Sequence, residues 1–166
     1  LQPNRKSSSY LSLTKNSFPI FQFSTSNDKF PGESQEQANL RIQRGQDEEY
    51  KVQTELKKRP KNYMAHYHLG EIYRMYFRQN KEAIESYLKA IELKPLYWKA
   101  YGSLLALDPE LTIKKLQEVS EKNPHYYAEY HIGIALYNLK RYEEALQRFQ
   151  KTNELNPKFT ADLGWS

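Results

Sequence analysis

The four histidines are the side chains whose type best suits proton transfer or metal ligation near neutral pH. His66 and His68 form a His-x-His pair. His131 precedes Ile132-Gly133 as His68 precedes Leu69-Gly70. On a helix, residues two apart leave on different faces, so His66 and His68 do not converge on one ion. They are expected to pack within the fold, with His125 in a loop. Glu48-Glu49 and Glu143-Glu144 are adjacent carboxylates, whereas paired acid and base work needs carboxylates that converge across a cleft. There is no cysteine, which excludes disulfides and thiolate metal sites within these residues. No glycine-rich phosphate loop or nucleophile elbow is present. The expectation is a chain that is not an enzyme, with no catalytic residues, no metal and no cofactor.

What remains is recognition chemistry. The chain of 166 residues carries a net charge of +5, which suits either an acidic protein partner or nucleic acid. Lys57, Lys58, Arg59 and Lys61 cluster at the end of a helical segment. They either complement the negative end of that helix or contact phosphate or an acidic partner. Tyrosine is abundant, at 14 residues. Its apolar ring and polar tip suit half-exposed positions on a thin structure. No apolar run approaches the roughly 20 residues a membrane-spanning helix needs. The best candidate, 17–23, is short and interrupted by Pro19.

The elements that must position these residues are marked by punctuation. Pro60, Pro95, Pro124 and Pro157 recur near the period of about 34 residues known for stacked helical arrays. Three of them close similar runs: Ala-Ile-Glu-Leu-Lys-Pro at 90–95, Glu-Lys-Asn-Pro at 121–124 and Glu-Leu-Asn-Pro at 154–157. Residues 34–59 read as helical, with Ala38, Leu40, Ile42, Tyr50, Val52 and Leu56 on the apolar face, and Gly45 is expected to split them into two helices. Repeating units are expected over about 63–97, 98–124 and 126–157. The second is clipped, because Asp108-Pro109 starts a new helix early.

Within these units, Leu69-Gly70-x-x-Tyr73, Lys81-Glu82-Ala83-Ile84 and Tyr142-Glu143-Glu144-Ala145 resemble the tetratricopeptide repeat (TPR) family over roughly residues 60–160. The resemblance implies an all-α, TPR-type helix-turn-helix solenoid at 60–158 with an extended N-terminal arm at 1–33. One extra residue lies between Tyr73 and Ala83 and is expected in the turn around Arg78–Lys81. Thr152 stands where the family usually has a small alanine. A tail, 159–166, is expected to cap the last unit through Phe159, Leu163 and Trp165, since an open solenoid end needs covering. The resemblance also places Tyr67, Glu71 and Arg74, then Lys99 and Gly102, then Tyr127, Tyr130, Ile134 and Tyr137 on the inner, partner-binding groove. Tyr67 and Glu71 occupy positions where some members hold a peptide carboxylate with Lys and Asn, which argues against that mode. A tyrosine-rich groove suits an apolar or aromatic segment.

The N-terminal 1–33 is basic, serine-rich and poor in acids, which resembles a mitochondrial transit peptide. The chain begins with Leu, so sequence is expected upstream. Together these point to a non-catalytic scaffold, an accessory subunit of a large mitochondrial assembly of the respiratory-chain or ATP-synthase type, on the matrix side. Its arm would dock on a neighbour or on its own groove. Two alternatives stand beside this: a mitochondrial ribosomal protein touching rRNA, and a free adaptor or chaperone or import cofactor that binds a peptide segment.

Overall fold

A computed structural model describes residues 29–162. The order is α1 (Gln35–Lys58), α2 (Tyr63–Ile72) running on into a π-helical turn (Tyr73–Phe77), α3 (Asn80–Leu93), α4 (Trp98–Leu105), α5 (Pro109–Lys122), α6 (Tyr126–Asn138), α7 (Tyr142–Leu155) and α8 (Pro157–Asp162). There is no strand among the described residues. Each helix packs on its neighbour in sequence, which makes an all-α, TPR-like solenoid.

Local chemistry explains where the helices begin. Ser34 and Gln37 form a reciprocal capping box at α1, with Gln37 N donating to Ser34 Oγ at 3.2 Å and Ser34 N to Gln37 Oε1 at 2.8 Å. Asn62 Oδ1 caps α2, and Asp108 Oδ1 accepts from Leu111 N at 2.9 Å, with Pro109 in the first turn of α5. Pro60, Pro95 and Pro124 fall in the turns between helices, and Pro157 opens α8. A proline lacks the N–H that a helix interior needs, so it marks these junctions.

The core is a row of small residues interleaved with rings. Ala83, Tyr87, Ala90, Ala100, Tyr101, Leu104, Leu116, Ala128 and Ile132 have no exposed surface. Gly70 and Gly133 let the paired helices close. A Cβ at Gly70 would stand 2.5 Å from Tyr87 Cε1, and one at Gly133 would overlap the Phe149 ring. Thr152, in the alanine slot, is fully buried but donates to Arg148 O at 2.9 Å, so its hydroxyl is not stranded.

Two expectations fail. Gly45 does not break the first segment: α1 runs through it without interruption. It is buried because Tyr76 and Phe77 press against it, and a Cβ there would lie 2.6 Å from Tyr76 Cβ. The glycine serves close approach, and α1 accepts its helical cost of about 1 kcal/mol. The extra residue of the first unit also lies elsewhere than expected. The third unit turns at Lys140 (φ 61°), four residues after Leu136. The first turns at Arg78 (φ 57°), five after the equivalent Tyr73. The surplus residue is therefore absorbed by the π turn at 73–77, ahead of Arg78–Lys81. The Tyr76 carbonyl in this turn accepts from the Arg41 guanidinium of α1.

Candidate functional site

The first helices of the three units, α2, α4 and α6, carry the residues assigned to the inner groove. On α2, Glu71 is the hub of a polar network. Its Oε1 accepts from Tyr87 Oη at 2.5 Å and from Ser103 Oγ of α4 at 2.8 Å, and its Oε2 accepts from Arg74 Nη2 at 2.8 Å. Burial pushes the Glu71 carboxyl pKa up, but the bonds from Arg74, Tyr87 and Ser103 outweigh it and hold it below the usual value. The Tyr87 hydroxyl is raised by burial and by that same carboxylate. Tyr67 lies between Tyr87 and Tyr97, with ring centroids at 5.8 and 5.4 Å. Tyr67, Glu71 and Arg74 are thus engaged with their own chain, joining the first unit to the second.

The second unit differs. α4 has 8 residues where α6 has 13. Lys99 and Gly102 on it are exposed, and nothing lies within 4 Å of where a Gly102 side chain would begin. Beyond it, Tyr127 and Tyr130 join an aromatic cluster on α6. Tyr127 meets Trp98 at 5.0 Å, His131 at 4.7 Å and Phe159 of α8 at 5.8 Å, and Tyr130 meets Phe159 at 5.3 Å. Ile134 is half-buried. Tyr137 is 58% exposed and packs edge-on against Tyr142 at 5.4 Å, at the far end of α6. Tyr127 and Tyr130 therefore form one cluster with Phe159, while Tyr137 pairs with Tyr142 of α7.

The histidines do not converge. His66 Nε2 is 2.9 Å from Pro60 O, His68 is exposed, and His131 lies in the Trp98–Tyr127 cluster, where burial holds its pKa below the usual imidazole value. Among the described residues, no group of three or more His, Asp and Glu is placed to hold a metal. No helix among them is long and apolar enough to cross a membrane. Lys57, Lys58, Arg59 and Lys61 are all exposed at the end of α1, and Arg59 lies 3.6 Å from Glu55.

Two features escaped the sequence. Glu129 on α6 is fully buried. It accepts from Ser120 Oγ of α5 at 2.5 Å and from Lys151 Nζ and Arg148 Nη1 of α7 at 2.6 and 3.0 Å. The other feature is a pincer at the end of the arm. The Arg41 and Arg78 guanidiniums lie 4.5 and 5.1 Å from the Phe30 ring centroid, Arg41 pairs with Glu33 at 3.0 Å, and Arg78 donates to Lys29 O at 3.0 Å. Residues 29–33 are thereby fastened to α1 and the π turn. The expected docking of the arm concerns chiefly residues 1–28, and the expected capping by Leu163 and Trp165 concerns the tail; both lie outside the described residues.

No curated protein matches the chain in sequence. A family model, described as tetratricopeptide repeat, matches residues 65–95. That stretch spans α2, the π turn and α3, whose Gly70–Tyr87 contact recurs as Gly133–Phe149 in α6 and α7. The chain belongs to the tetratricopeptide-repeat proteins, whose repeats point to protein–protein interaction.

Proposed function

We propose that this chain is a non-catalytic scaffold that holds an extended segment of a neighbouring protein across α2, α4 and α6, as an accessory subunit of a large mitochondrial assembly of the respiratory-chain or ATP-synthase type. The observation that carries the binding reading is the open space over Gly102 beside the exposed Lys99. It lies on the shortened α4, between tyrosine-bearing helices. An extended backbone fits where a side chain is missing, and Tyr67, Tyr127 and Tyr130 offer flanking rings. The mitochondrial setting, on the matrix side, is supported by the basic, serine-rich, acid-poor residues 1–33. A second reading, a mitochondrial ribosomal protein touching rRNA, is favoured by the exposed Lys57, Lys58, Arg59 and Lys61.

The test is native purification with mass spectrometry, comparing the wild type with the double variant Lys99→Glu, Gly102→Arg. Both positions are exposed, so the melting temperature is expected to stay unchanged while subunits of one assembly are lost. Co-purification of rRNA and ribosomal proteins would select the second reading. Unchanged association in the double variant would refute the groove.

A further inference from the structure

The third unit leaves one side of its second helix open, at positions that the first unit keeps covered. In the first unit α4 overlies α3, where Tyr87 is 0% exposed and Ile84 is half-buried. The same positions on α7 are Phe149, half-buried, and Leu146, 57% exposed. α8 begins to cover this face. The Phe159 ring rests on Tyr126 and Tyr130 at 5.0 and 5.3 Å, much as Tyr97, at the entrance to α4, rests on Tyr63 and Tyr67 at 4.9 and 5.4 Å.

The sequence continues in the same register. Tyr63, Trp98, Tyr126 and Phe159 each open a helix or its first turn, and two residues on stand Ala65, Ala100, Ala128 and Ala161. Six residues on stand Leu69, Leu104, Ile132 and Trp165. The first three of these are 8%, 0% and 0% exposed. They are the large apolar side chains through which each first helix enters the core.

We propose that residues 163–166 continue α8 as the first helix of a further unit, and that Trp165 closes the open face of α7 over Phe149 and Leu146. Six helical residues rise about 9 Å, which is also the length of α7 from Leu155 back to Phe149. Trp165 is thus in reach of Phe149 and, one turn further, of Leu146. The occupant of this face is the chain's own tail, already seated at one end through Phe159. This assignment is independent of the partner reading above, because it requires no second protein.

The chain has two tryptophans, Trp98 and Trp165, so labelling with 5-fluorotryptophan gives two ¹⁹F resonances, assigned with Trp165→Phe. The Trp165 resonance is expected to be shielded from solvent. Leu146→Arg, at an exposed position that leaves the fold intact, should move it and expose it while Trp98 stays in place. A Trp165 signal that is solvent-exposed and indifferent to Leu146→Arg overturns the proposal. Sedimentation on the same samples detects the rival occupant: a concentration-dependent dimer abolished by Leu146→Arg would mean that a second copy covers the face, and would equally overturn it.

Discussion

Removing the Glu129 carboxylate should weaken the fold by an amount that depends on what it leaves behind. Breaking one partner out of a buried ion pair costs about 3–5 kcal/mol when the other charge is stranded. Here Lys151 and Arg148 keep 43% and 31% of their side chains exposed, so both can rehydrate when the carboxylate is gone. What is lost is a set of charge-assisted hydrogen bonds, worth about 1.5–3 kcal/mol each in isolation and not additive. The Ser120 hydroxyl is left without its acceptor, and alanine adds a cavity. Glu129→Gln is therefore expected to cost about 2 kcal/mol and Glu129→Ala about 3 kcal/mol. At roughly 2–4 °C per kcal/mol for a chain of this size, the alanine variant should melt about 6–12 °C lower.

The pH dependence separates a charge effect from a packing effect. Burial raises the Glu129 pKa, but the bonds from Lys151, Ser120 and Arg148 overcome this, so the folded value lies below the ordinary one. A lowered carboxyl pKa contributes stability that is complete above the unfolded value, near about 4.3, and is lost as pH falls through the folded value. The gap between wild type and Glu129→Gln should thus be full at pH 7 and shrink in acid below that range. Thermal melts followed by circular dichroism at 222 nm across this pH range measure it. A Glu129→Ala variant as stable as the wild type at pH 7, or a gap to Glu129→Gln that persists unchanged in acid, would refute the reasoning.

Other consequences are read from urea midpoints. Gly70→Ala and Gly133→Ala should each destabilise by about 1–3 kcal/mol through overpacking. Gly70 should be the worse, since its new methyl also meets the Ala83 carbonyl at 3.1 Å while Gly133 presses only on the Phe149 ring. Gly102→Ala, with open space around it, should stabilise α4 by about 0.5–1 kcal/mol. Lys140→Gly relieves a left-handed residue at φ 61° and should stabilise by up to about 1 kcal/mol.

The helical array was legible because its markers act locally. A proline ends a helix wherever it stands, and Asp108-Pro109 starts one, so the units and the clipped α4 could be read without knowing what packs on them. Gly45 was misread because the same local rule says that glycine breaks helices. Its reason is non-local: Tyr76 and Phe77, some thirty residues away, need the missing Cβ. The insertion in the first unit was countable but not placeable. The π turn is held by Arg41, Glu49 and Gly45 of α1, through the Tyr76 carbonyl, the Tyr73 hydroxyl at 3.0 Å and the bare glycine backbone.

Glu129 was missed for a different reason, and a signal was available. Read alone, it is one more charge on a helix. In the repeat register it stands three residues after Tyr126, as Tyr101 stands three after Trp98, and Tyr101 is fully buried. A carboxylate in that slot needs cations from the neighbouring helix, and Arg148 and Lys151 lie one turn apart on α7. The same register carries Phe159 and Trp165 into the slots of Tyr126 and Ile132. Aligning the units by position, and asking of each odd residue what its slot demands, recovers the buried carboxylate from sequence. It also makes the fate of Trp165 the sharper test of whether that register governs the end of this array.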